Sequence, residues 1–271
     1  MKFGVLYPNT GIHVDKKLVT SFAIEAERNN FDFLFIWDHY MTPNSNVWFE
    51  AWSLLSYLSS VTSIIKLGTC VTPIPFRNPS QLAKIVANVD ILSEGRVILG
   101  AGAGWAKEEF DAYSKWEESS TRVSMTEEGI NLILKLWTED EVNFEGKFYK
   151  SLRARLEPKP IQKPHPPIWL ASFGKRMLKI ASNYGNGWIP TQIDHNEYLY
   201  LKNEINSTLR NENFQYSYNL FRPFQIIDEY FQIIEKFEKV GCRNFIINWL
   251  YKPNEMIDKL KWFKDNVISC K

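Results

Sequence analysis

Residues 78–104 read NPSQLAKIVANVDILSEGRVILGAGAG and hold one complete helix–strand unit. Asn78 and Pro79 supply an N-cap and a proline at the first helical position, and the Ser-Glu-Gly of 93–95 ends the helix. A short apolar run at 96–99 follows at once and predicts a strand. Helix and strand in such close succession indicate a parallel sheet covered by helices.

The same alternation of short apolar runs with amphipathic stretches continues along the chain and predicts eight strands. Seven have a clear signal, at 3–7, 33–37, 66–71, 96–99, 168–171, 188–190 and 245–248. The seventh strand in chain order is expected within 215–223, where the signal is weak. Eight parallel strands and their helices typically take about 250 residues. We therefore interpret the 271 residues as one α/β domain, a (β/α)8 TIM barrel spanning 1–271.

Helices are predicted around the barrel at 15–29, 51–58, 79–92, 124–137, 175–184, 198–209, 228–240 and up to about 267. Two insertions precede the fifth strand. Residues 142–148 alternate like a small hairpin that turns at Glu145 and Gly146. Residues 156–167 contain five prolines and are interpreted as an extended strap across the surface.

The composition excludes several classes of protein. Thirty-two basic and 31 acidic side chains leave a net charge of +1, so no global field attracts nucleic acid or an anionic membrane. With 45% apolar residues the chain is too hydrophobic for intrinsic disorder, yet it has no apolar run of about 18 residues that could span a membrane. Cys70, Cys242 and Cys270 are odd in number and lack metal-ligand spacing, which favours a cytoplasmic protein.

Asp38 and His39 follow the second strand, at the end of a barrel where the βα loops carry chemistry. Histidine exchanges a proton near neutral pH, and the adjacent carboxylate could fix its orientation. The alternative is a capping aspartate beside a solvated loop histidine. The remaining histidines form no His-x-His or His-Glu-x-x-His spacing, so no metal site is expected; they are His13, His165 and His195.

The Gly-Ala-Gly-Ala-Gly run at 100–104 carries no side chain larger than a methyl group. A flat ligand or a phosphate can therefore approach its backbone closely. The spacing differs from the G-x-G-x-x-G fingerprint of dinucleotide-binding folds. The alternative is that these glycines let a helix pack close to the barrel rim.

Residues 172–176, Ser-Phe-Gly-Lys-Arg, follow the fifth strand and open a helix. Free backbone N–H groups, the positive end of the helix dipole and two cationic side chains predict an anion site suited to a phosphate. The alternative is a solvated pair of charges on an exposed helix start.

Several tryptophans stand near the starts of loops, where they could wall a planar heterocycle. They are Trp37, Trp48, Trp52, Trp105 and Trp188. Core packing is the default for each one singly, and only their coincidence at one face of the barrel favours a binding site.

Taken in this order, the motifs resemble those of the luciferase-like monooxygenase superfamily of flavin- and deazaflavin-dependent oxidoreductases. The resemblance covers nearly everything from Phe3 to Pro190 and is carried by 33–39 (FLFIWDH), 66–69 (KLGT) with Pro79 after it, 95–105 (GRVILGAGAGW), 108–110 (EEF), 136–137 (LW), 144–149 (FEGKFY), 156–160 (LEPKP) and 185–188 (GNGW). The subgroup that it resembles most is the F420-dependent oxidoreductases. Such a protein binds its flavin or deazaflavin at the carboxyl ends of the barrel strands.

The resemblance assigns roles to individual residues of this chain. Asp38 should contact the cofactor ring, and His39 should give or take a proton beside its reactive edge. The segment behind the ring is Cys70, Val71 and Thr72; the segment that flanks it is Ala103, Gly104 and Glu108; the phosphate-binding turn is Ser172, Phe173, Gly174, Lys175 and Arg176.

The family resemblance also implies a cis peptide bond between Cys70 and Val71. The sequence gives a reason, because the strand at 66–71 breaks at once into Thr-Pro-Ile-Pro and the chain must turn sharply. The alternative is an ordinary trans strand end with Cys70 as a small core residue.

Three departures from the family pattern limit what the resemblance implies. Trp105 stands where the sugar-phosphate dehydrogenase branch carries a catalytic glutamate, so that activity is not expected. Phe173 occupies a turn that is usually richer in glycine, so a shifted phosphate contact is expected. Residues 192–223 show little family pattern and leave the substrate open.

The sequence thus predicts a cytoplasmic oxidoreductase that uses reduced coenzyme F420 or FMN, with F420 favoured by the subgroup, on a small organic substrate. The reaction would be hydride transfer or, with FMN, activation of oxygen as a monooxygenase. The alternatives are a flavin-binding storage protein without turnover and a phosphosugar barrel enzyme. A homodimer is expected from the family and from the apolar helix beginning at Trp52.

Overall fold

The computed structural model describes residues 1–209 and 211–270, in which parallel strands form a barrel surrounded by helices. The strands are β1 (Lys2–Tyr7), β2 (Phe33–Ile36), β3 (Lys66–Thr69), β4 (Thr72–Pro73), β5 (Val97–Gly102), β6 (Val142–Glu145), β7 (Lys150–Ala154), β8 (Ile168–Leu170), β9 (Gly187–Trp188), β10 (Gln215–Leu220) and β11 (Asn244–Asn248). The barrel order is β3-β2-β1-β11-β10-β9-β8-β5, and β5 pairs back onto β3. These eight strands close the predicted TIM barrel, and β6 and β7 form a separate hairpin.

Helices follow the strands and cover the outside of the barrel. They are α1 (Lys16–Arg28), α2 (Ala51–Val61), α3 (Pro79–Leu92), α4 (Lys107–Tyr113), α5 (Ser119–Thr138), α6 (Lys175–Tyr184), α7 (His195–Asn206), α8 (Ile227–Lys239) and α9 (Met256–Asn266). Side-chain caps fix several of their starts; Asn78, for example, accepts hydrogen bonds from the backbone N–H groups of Ser80 and Gln81. Among the described residues, no helix is long and apolar enough to cross a membrane.

Alternate side chains of each strand serve two different cores, as the pleat of a strand requires. One set points outward and packs against the helices, as Leu34 and Leu99 do. The other set points inward and fills the barrel with Leu6, Phe33, Phe35, Ile98, Trp169, Ile189 and Ile246. Four partly buried side chains from the carboxyl ends of strands pack on this inner cluster, namely Trp37, Cys70, Val71 and Ala171. We call these four residues the barrel floor, because they lie beneath the βα loops.

Most of the predicted elements are confirmed. Helices α3 and α6 have the predicted bounds, and the weakly signalled seventh barrel strand is β10, inside the predicted interval. The predicted helix at 124–137 begins five residues earlier, at Ser119, because four polar residues and Val123 continue the helix toward its N-terminus. The predicted position of the hairpin turn, at Glu145 and Gly146, was wrong by a few residues. Strand β6 extends to Glu145, and the turn falls at 146–149.

The strand at 96–99 was predicted too short, and the short helix α4 was missed. Strand β5 runs on through Gly100, Ala101 and Gly102, so these residues are strand and not loop. A Cβ atom built at Gly100 would lie 1.8 Å from the carbonyl oxygen of Thr69, and one at Gly102 would lie 2.9 Å from Cγ2 of Val71. Gly100 and Gly102 therefore make room for the end of β3, whereas Gly104, whose Cβ position lies 2.7 Å from the ring of Phe110, makes room for helix α4 at the rim.

The chain between Thr69 and Val71 turns inward over these glycines. The peptide bond between Cys70 and Val71 is cis, as predicted. Because of this path, both Cys70 and Val71 contribute to the barrel floor.

The apolar side chains of α2 do not form an exposed face, contrary to the argument made for a dimer. Trp52, Leu54, Leu55 and Leu58 are each no more than 6% exposed, because they pack against the barrel of their own chain. The helix therefore gives no support to a homodimer.

Replacing Gly100 by Ala should lower the free energy of unfolding by about 3 kcal/mol, or prevent folding, because the new methyl group collides with a backbone carbonyl that cannot rotate away. Urea unfolding followed by circular dichroism measures the change. Gly174→Ala is the matched control: no atom lies within 4 Å of its Cβ position, so the loss there should stay below about 1 kcal/mol. Equal stability of the wild type and Gly100→Ala would contradict this account of the strand contact.

Candidate active site

His39 is held at the barrel mouth by a buried carboxylate. Its Nδ1 lies 2.8 Å from Oε2 of Glu109, a residue only 1% exposed. The other carboxylate oxygen of Glu109 accepts hydrogen bonds from the backbone N–H groups of Tyr40 and Met41. Glu109 thus fixes both the imidazole and the loop that carries it.

The identity of this carboxylate corrects the sequence interpretation in two ways. Glu108 was assigned to the site, but it is exposed on the outer side of α4, whereas its neighbour Glu109 faces inward. One residue along a helix turns the side chain by about 100°, so a one-position error exchanges the two faces. The adjacent Asp38 was also expected to orient His39, and it does not.

Asp38 points away from the barrel mouth. Its carboxylate is fully buried and accepts two hydrogen bonds from the guanidinium of Arg77, at 2.6 and 2.8 Å, and one from the hydroxyl of Thr72 at 2.7 Å. Arg77 also lines a cleft of about 580 Å³ between α2 and α3 on the outer side of the sheet. The expected contact of Asp38 with a cofactor ring stays a prediction. In such a contact the carboxylate would accept a further hydrogen bond besides the three that it already accepts from Arg77 and Thr72.

The barrel floor offers an apolar surface at the same end of the barrel as His39. Val71 covers the side-chain-free faces of Gly100 and Gly102, and Cys70 lies beside it. Desolvation raises the pKa of the Cys70 thiol to about 12, so the thiol stays protonated and uncharged at neutral pH. Cys70 is therefore a neutral wall and not a nucleophile.

Two tryptophans wall His39 at the mouth. The imidazole centroid lies 5.3 Å from Trp48 and 5.4 Å from Trp105, and Trp105 is 63% exposed. Trp52 and Trp188, also proposed as walls, lie outside the mouth: they are buried and bond to Thr72 Oγ1 and to the Ser172 carbonyl, respectively.

The segment after β5 is tied down by an arginine that sequence reasoning missed. Arg122 of α5 donates to the carbonyls of Ala103 (3.2 Å) and Gly104 (3.4 Å), and its guanidinium stacks 3.7 Å from the ring of Trp116. Arg122 thereby fixes the conformation of Ala103 and Gly104, and their expected contact with a cofactor ring stays a prediction.

The predicted phosphate turn has the features of an anion site. Helix α6 begins at Lys175, its N-cap Gly174 provides no side-chain bond, and Ser172 Oγ is buried without a partner in the described part of the chain. Lys175 is exposed at this turn, and Phe173 is 44% exposed. Arg176 differs from the prediction, because its guanidinium donates to Ser120 and Ser124 of α5.

Asn219 and Asn248 are two further polar residues that the sequence interpretation did not single out. Asn219 is the penultimate residue of β10 and Asn248 is the last residue of β11; both are buried, with amide atoms that have no partner among residues 1–209 and 211–270. Their only sequence signal is a polar side chain at an inward position of a strand, which is visible only after the strand register is known.

The fold and site together define a parallel (β/α)8 barrel with an oriented histidine, an apolar floor and an uncapped helix start at one mouth. The family model described as luciferase-like monooxygenase matches residues 1–210, and the chain belongs to that family.

Curated relatives carry more specific names. The F420-dependent glucose-6-phosphate dehydrogenase of Amycolatopsis mediterranei is 33% identical over 177 residues, which cover 64% of this chain and 53% of that protein. The F420-dependent hydroxymycolic acid dehydrogenase of Mycobacterium tuberculosis is 30% identical over 200 residues, covering 72% and 54%. The chain therefore spans about half the length of the curated relatives that it matches.

Solved structures agree on the fold. An F420-dependent secondary alcohol dehydrogenase in complex with an F420–acetone adduct superposes with a TM-score of 0.83 at 19% identity and covers 100% of both chains. The coenzyme F420-dependent tetrahydromethanopterin reductase of Methanopyrus kandleri superposes with a TM-score of 0.77 at 18% identity, covering 99% of this chain and 98% of that one.

Replacing Glu109 by Ala should lower the free energy of unfolding by about 1.5–3 kcal/mol, since a charged acceptor of hydrogen bonds from His39, Tyr40 and Met41 is lost. Glu108→Ala is the matched control and should change stability by less than about 0.5 kcal/mol, because that side chain is exposed. Thermal and urea unfolding measure both. Indistinguishable effects of the two variants would mean that the buried pair is not formed.

Proposed function

We propose that this chain is an oxidoreductase that binds coenzyme F420 at the barrel mouth and catalyses hydride transfer to or from a small organic substrate. The observation that carries the proposal is the His39–Glu109 pair, which holds an imidazole at the end of the barrel where Val71 and Cys70 cover the inner core. The names of the curated relatives support F420 as the cofactor. The protein supplies position and electrostatics, while the redox chemistry belongs to the cofactor.

The residues present fit such a cofactor at two places. Val71 over Gly100 and Gly102 gives a planar ring an uninterrupted apolar face. At the other end, the free N–H groups of α6, the hydroxyl of Ser172 and the ammonium of Lys175 suit a phosphate. When bound there, F420 supplies a ring carbon that accepts or delivers a hydride.

His39 moves the proton that accompanies the hydride. With Glu109 ionised, the imidazole donates from Nδ1, so the neutral ring presents its basic Nε2 away from that carboxylate. Nε2 can then take a proton from a substrate hydroxyl or, when protonated, return one to a carbonyl oxygen. Trp48 and Trp105 pack against the imidazole ring of His39, whose side chain is only 13% exposed to water.

FMN is the second candidate, because its ring and ribityl phosphate would use the same floor and turn. With FMN the family name would apply literally, and the protein would be a monooxygenase. F420 is preferred because the curated relatives in this family are F420-dependent enzymes. A storage protein that binds the cofactor without turnover has no need of the buried carboxylate that orients His39.

We also propose that the chain works in the cytoplasm as a homodimer. The cysteines are free, which suits a reducing compartment. The dimer rests on the family resemblance alone, and light scattering of the purified protein tests it.

Replacing His39 by Ala should slow turnover by about 10²–10⁴ and leave the F420 affinity within a few-fold of wild type, because the imidazole transfers a proton and does not anchor the cofactor. Steady-state kinetics and an F420 fluorescence titration measure the two effects separately. Unchanged turnover would remove His39 from the mechanism, and a binding loss as large as the rate loss would make it a binding residue.

Replacing Lys175 by Ala should weaken F420 binding by roughly tenfold or more, since a charge-assisted hydrogen bond contributes about 1.5–3 kcal/mol. The dephosphorylated cofactor core should lose little affinity. Arg176→Ala is the comparison variant and should have the smaller effect, because its guanidinium is engaged with α5. Equal losses for the phosphorylated and dephosphorylated forms would refute the phosphate assignment.

A further inference from the structure

Two buried asparagines at the ends of neighbouring strands have amide atoms without partners. Asn248 is fully buried, and neither its Oδ1 nor its Nδ2 bonds to any described residue. Asn219 is 5% exposed, and its Oδ1 is likewise unpartnered within the described chain. Burial of unpaired amides is unfavourable, so a pair of them calls for a ligand that completes their hydrogen bonds.

Both amides face the inside of the barrel at its mouth. Ile246 belongs to the inner cluster, and Asn248 lies two residues further along β11, so it points to the same side. Nδ2 of Asn219 reaches across the barrel to Cys70 Sγ, at 3.6 Å. Asn219 therefore extends over the barrel floor from the side opposite β3.

The strand order divides the mouth into two halves. The features assigned to the cofactor follow β3, β5 and β8, which are neighbours in the barrel. The two asparagines lie at the ends of β10 and β11, and the barrel continues from there through β1 to β2, which carries His39. The half formed by β10, β11, β1 and β2 is thus left for a substrate, with His39 at its border.

The rim of this second half is apolar. Phe221 directly follows β10 and is 40% exposed. Leu250 lies two residues beyond the end of β11 and is 38% exposed. Ile12, after β1, is 72% exposed. Large apolar side chains that remain exposed around a mouth suit an apolar ligand.

The charges in this half also restrict the ligand. Apart from Asp38, whose carboxylate is paired with Arg77 and points away from the mouth, its buried polar side chains at the mouth are neutral amides, and the one cation among the described buried residues, Arg122, lies on the β5 side. Arg222 and Lys252 are exposed on the rim loops and do not reach the buried amides. An uncharged polar group is therefore the partner that suits Asn219 and Asn248.

We propose that Asn219 and Asn248 bind the oxygen of an uncharged, apolar alcohol or of the corresponding carbonyl compound. This inference rests on the proposed function. With F420 bound, oxidation would break the carbinol C–H bond and pass its hydride to oxidised F420, while the hydroxyl proton would pass to His39; the products would be the carbonyl compound and reduced F420. An amide Nδ2 donates to the substrate oxygen, and an amide Oδ1 accepts from a hydroxyl, so either redox form of the substrate is held.

The test of the amide pair uses F420 with 2-pentanol and the variant Asn248→Leu. We expect kcat/KM to fall by about tenfold or more, with F420 affinity within twofold of wild type and no fall in Tm, because no protein hydrogen bond is lost. Asn244→Leu is the matched control on the same strand. Oδ1 of Asn244 also has no partner among the described residues, but its Nδ2 donates to Ser217 Oγ at the far end of the barrel, so this variant should lower Tm and leave kcat/KM unchanged.

Three outcomes would overturn the assignment. Unchanged kcat/KM in Asn248→Leu would exclude the amide from substrate binding. An equal loss of F420 affinity would place the amide against the cofactor. A fall in Tm as large as that of Asn244→Leu, with kcat/KM preserved, would make Asn248 a structural residue.

The test of the apolar rim uses 2-propanol, 2-pentanol and 2-heptanol as substrates, with glucose 6-phosphate as the charged substrate for comparison. We expect kcat/KM to rise by about three- to fourfold per added CH2 along the alcohols, and to be higher for 2-heptanol than for the sugar phosphate. The double variant Phe221→Ser/Leu250→Ser should flatten this rise, whereas Leu152→Ser, 77% exposed on the distant hairpin, should not. F420 binding without turnover of any alcohol, or a preference for glucose 6-phosphate, would overturn the substrate class; absence of F420 binding would instead overturn the proposed function.

Discussion

The close approach of the end of β3 to strand β5 is the contact on which the site depends. Only glycine fits at position 100, because any Cβ would meet the Thr69 carbonyl at 1.8 Å. This contact brings Cys70 and Val71 into the barrel, where they cover the inner core and form a floor. A larger residue at 100 would push that segment outward and remove the surface on which a planar ring can lie.

The end of β2 divides its side chains between structure and chemistry. Asp38 turns outward to Arg77 and Thr72, which anchors the loop to the layer of helices. His39 turns to Glu109, which holds it at the mouth. Asp38 and His39 lie in the loop after β2 and have different partners, so in this backbone conformation only His39 is held at the mouth.

Local signals predicted the elements that depend on local interactions. The Asn78 cap and the following proline gave α3 its start, and the apolar runs gave the barrel strands. The extent of β5 was not predictable in the same way, because glycine has low strand propensity and its presence there depends on contact with another strand.

The site residues stay a prediction, and the differences between their expected and observed contacts arise from tertiary packing. Whether Glu108 or Glu109 meets His39 depends on how α4 packs, which no local pattern records. Asn219 and Asn248 were not singled out because their importance comes from inward register and missing partners. The positions of Ser172 and Lys175 at an uncapped helix start followed from sequence, since helix starts and anion preference are local properties.

The most direct test of the central claim is an equilibrium titration of the purified protein with F420 and with FMN, followed by absorbance and fluorescence. The account predicts that F420 binds with a dissociation constant in the micromolar range and a spectral shift of its ring, and that FMN binds more weakly. Tighter binding of FMN, with rapid oxidation of reduced FMN by oxygen, or binding of neither cofactor, would contradict it.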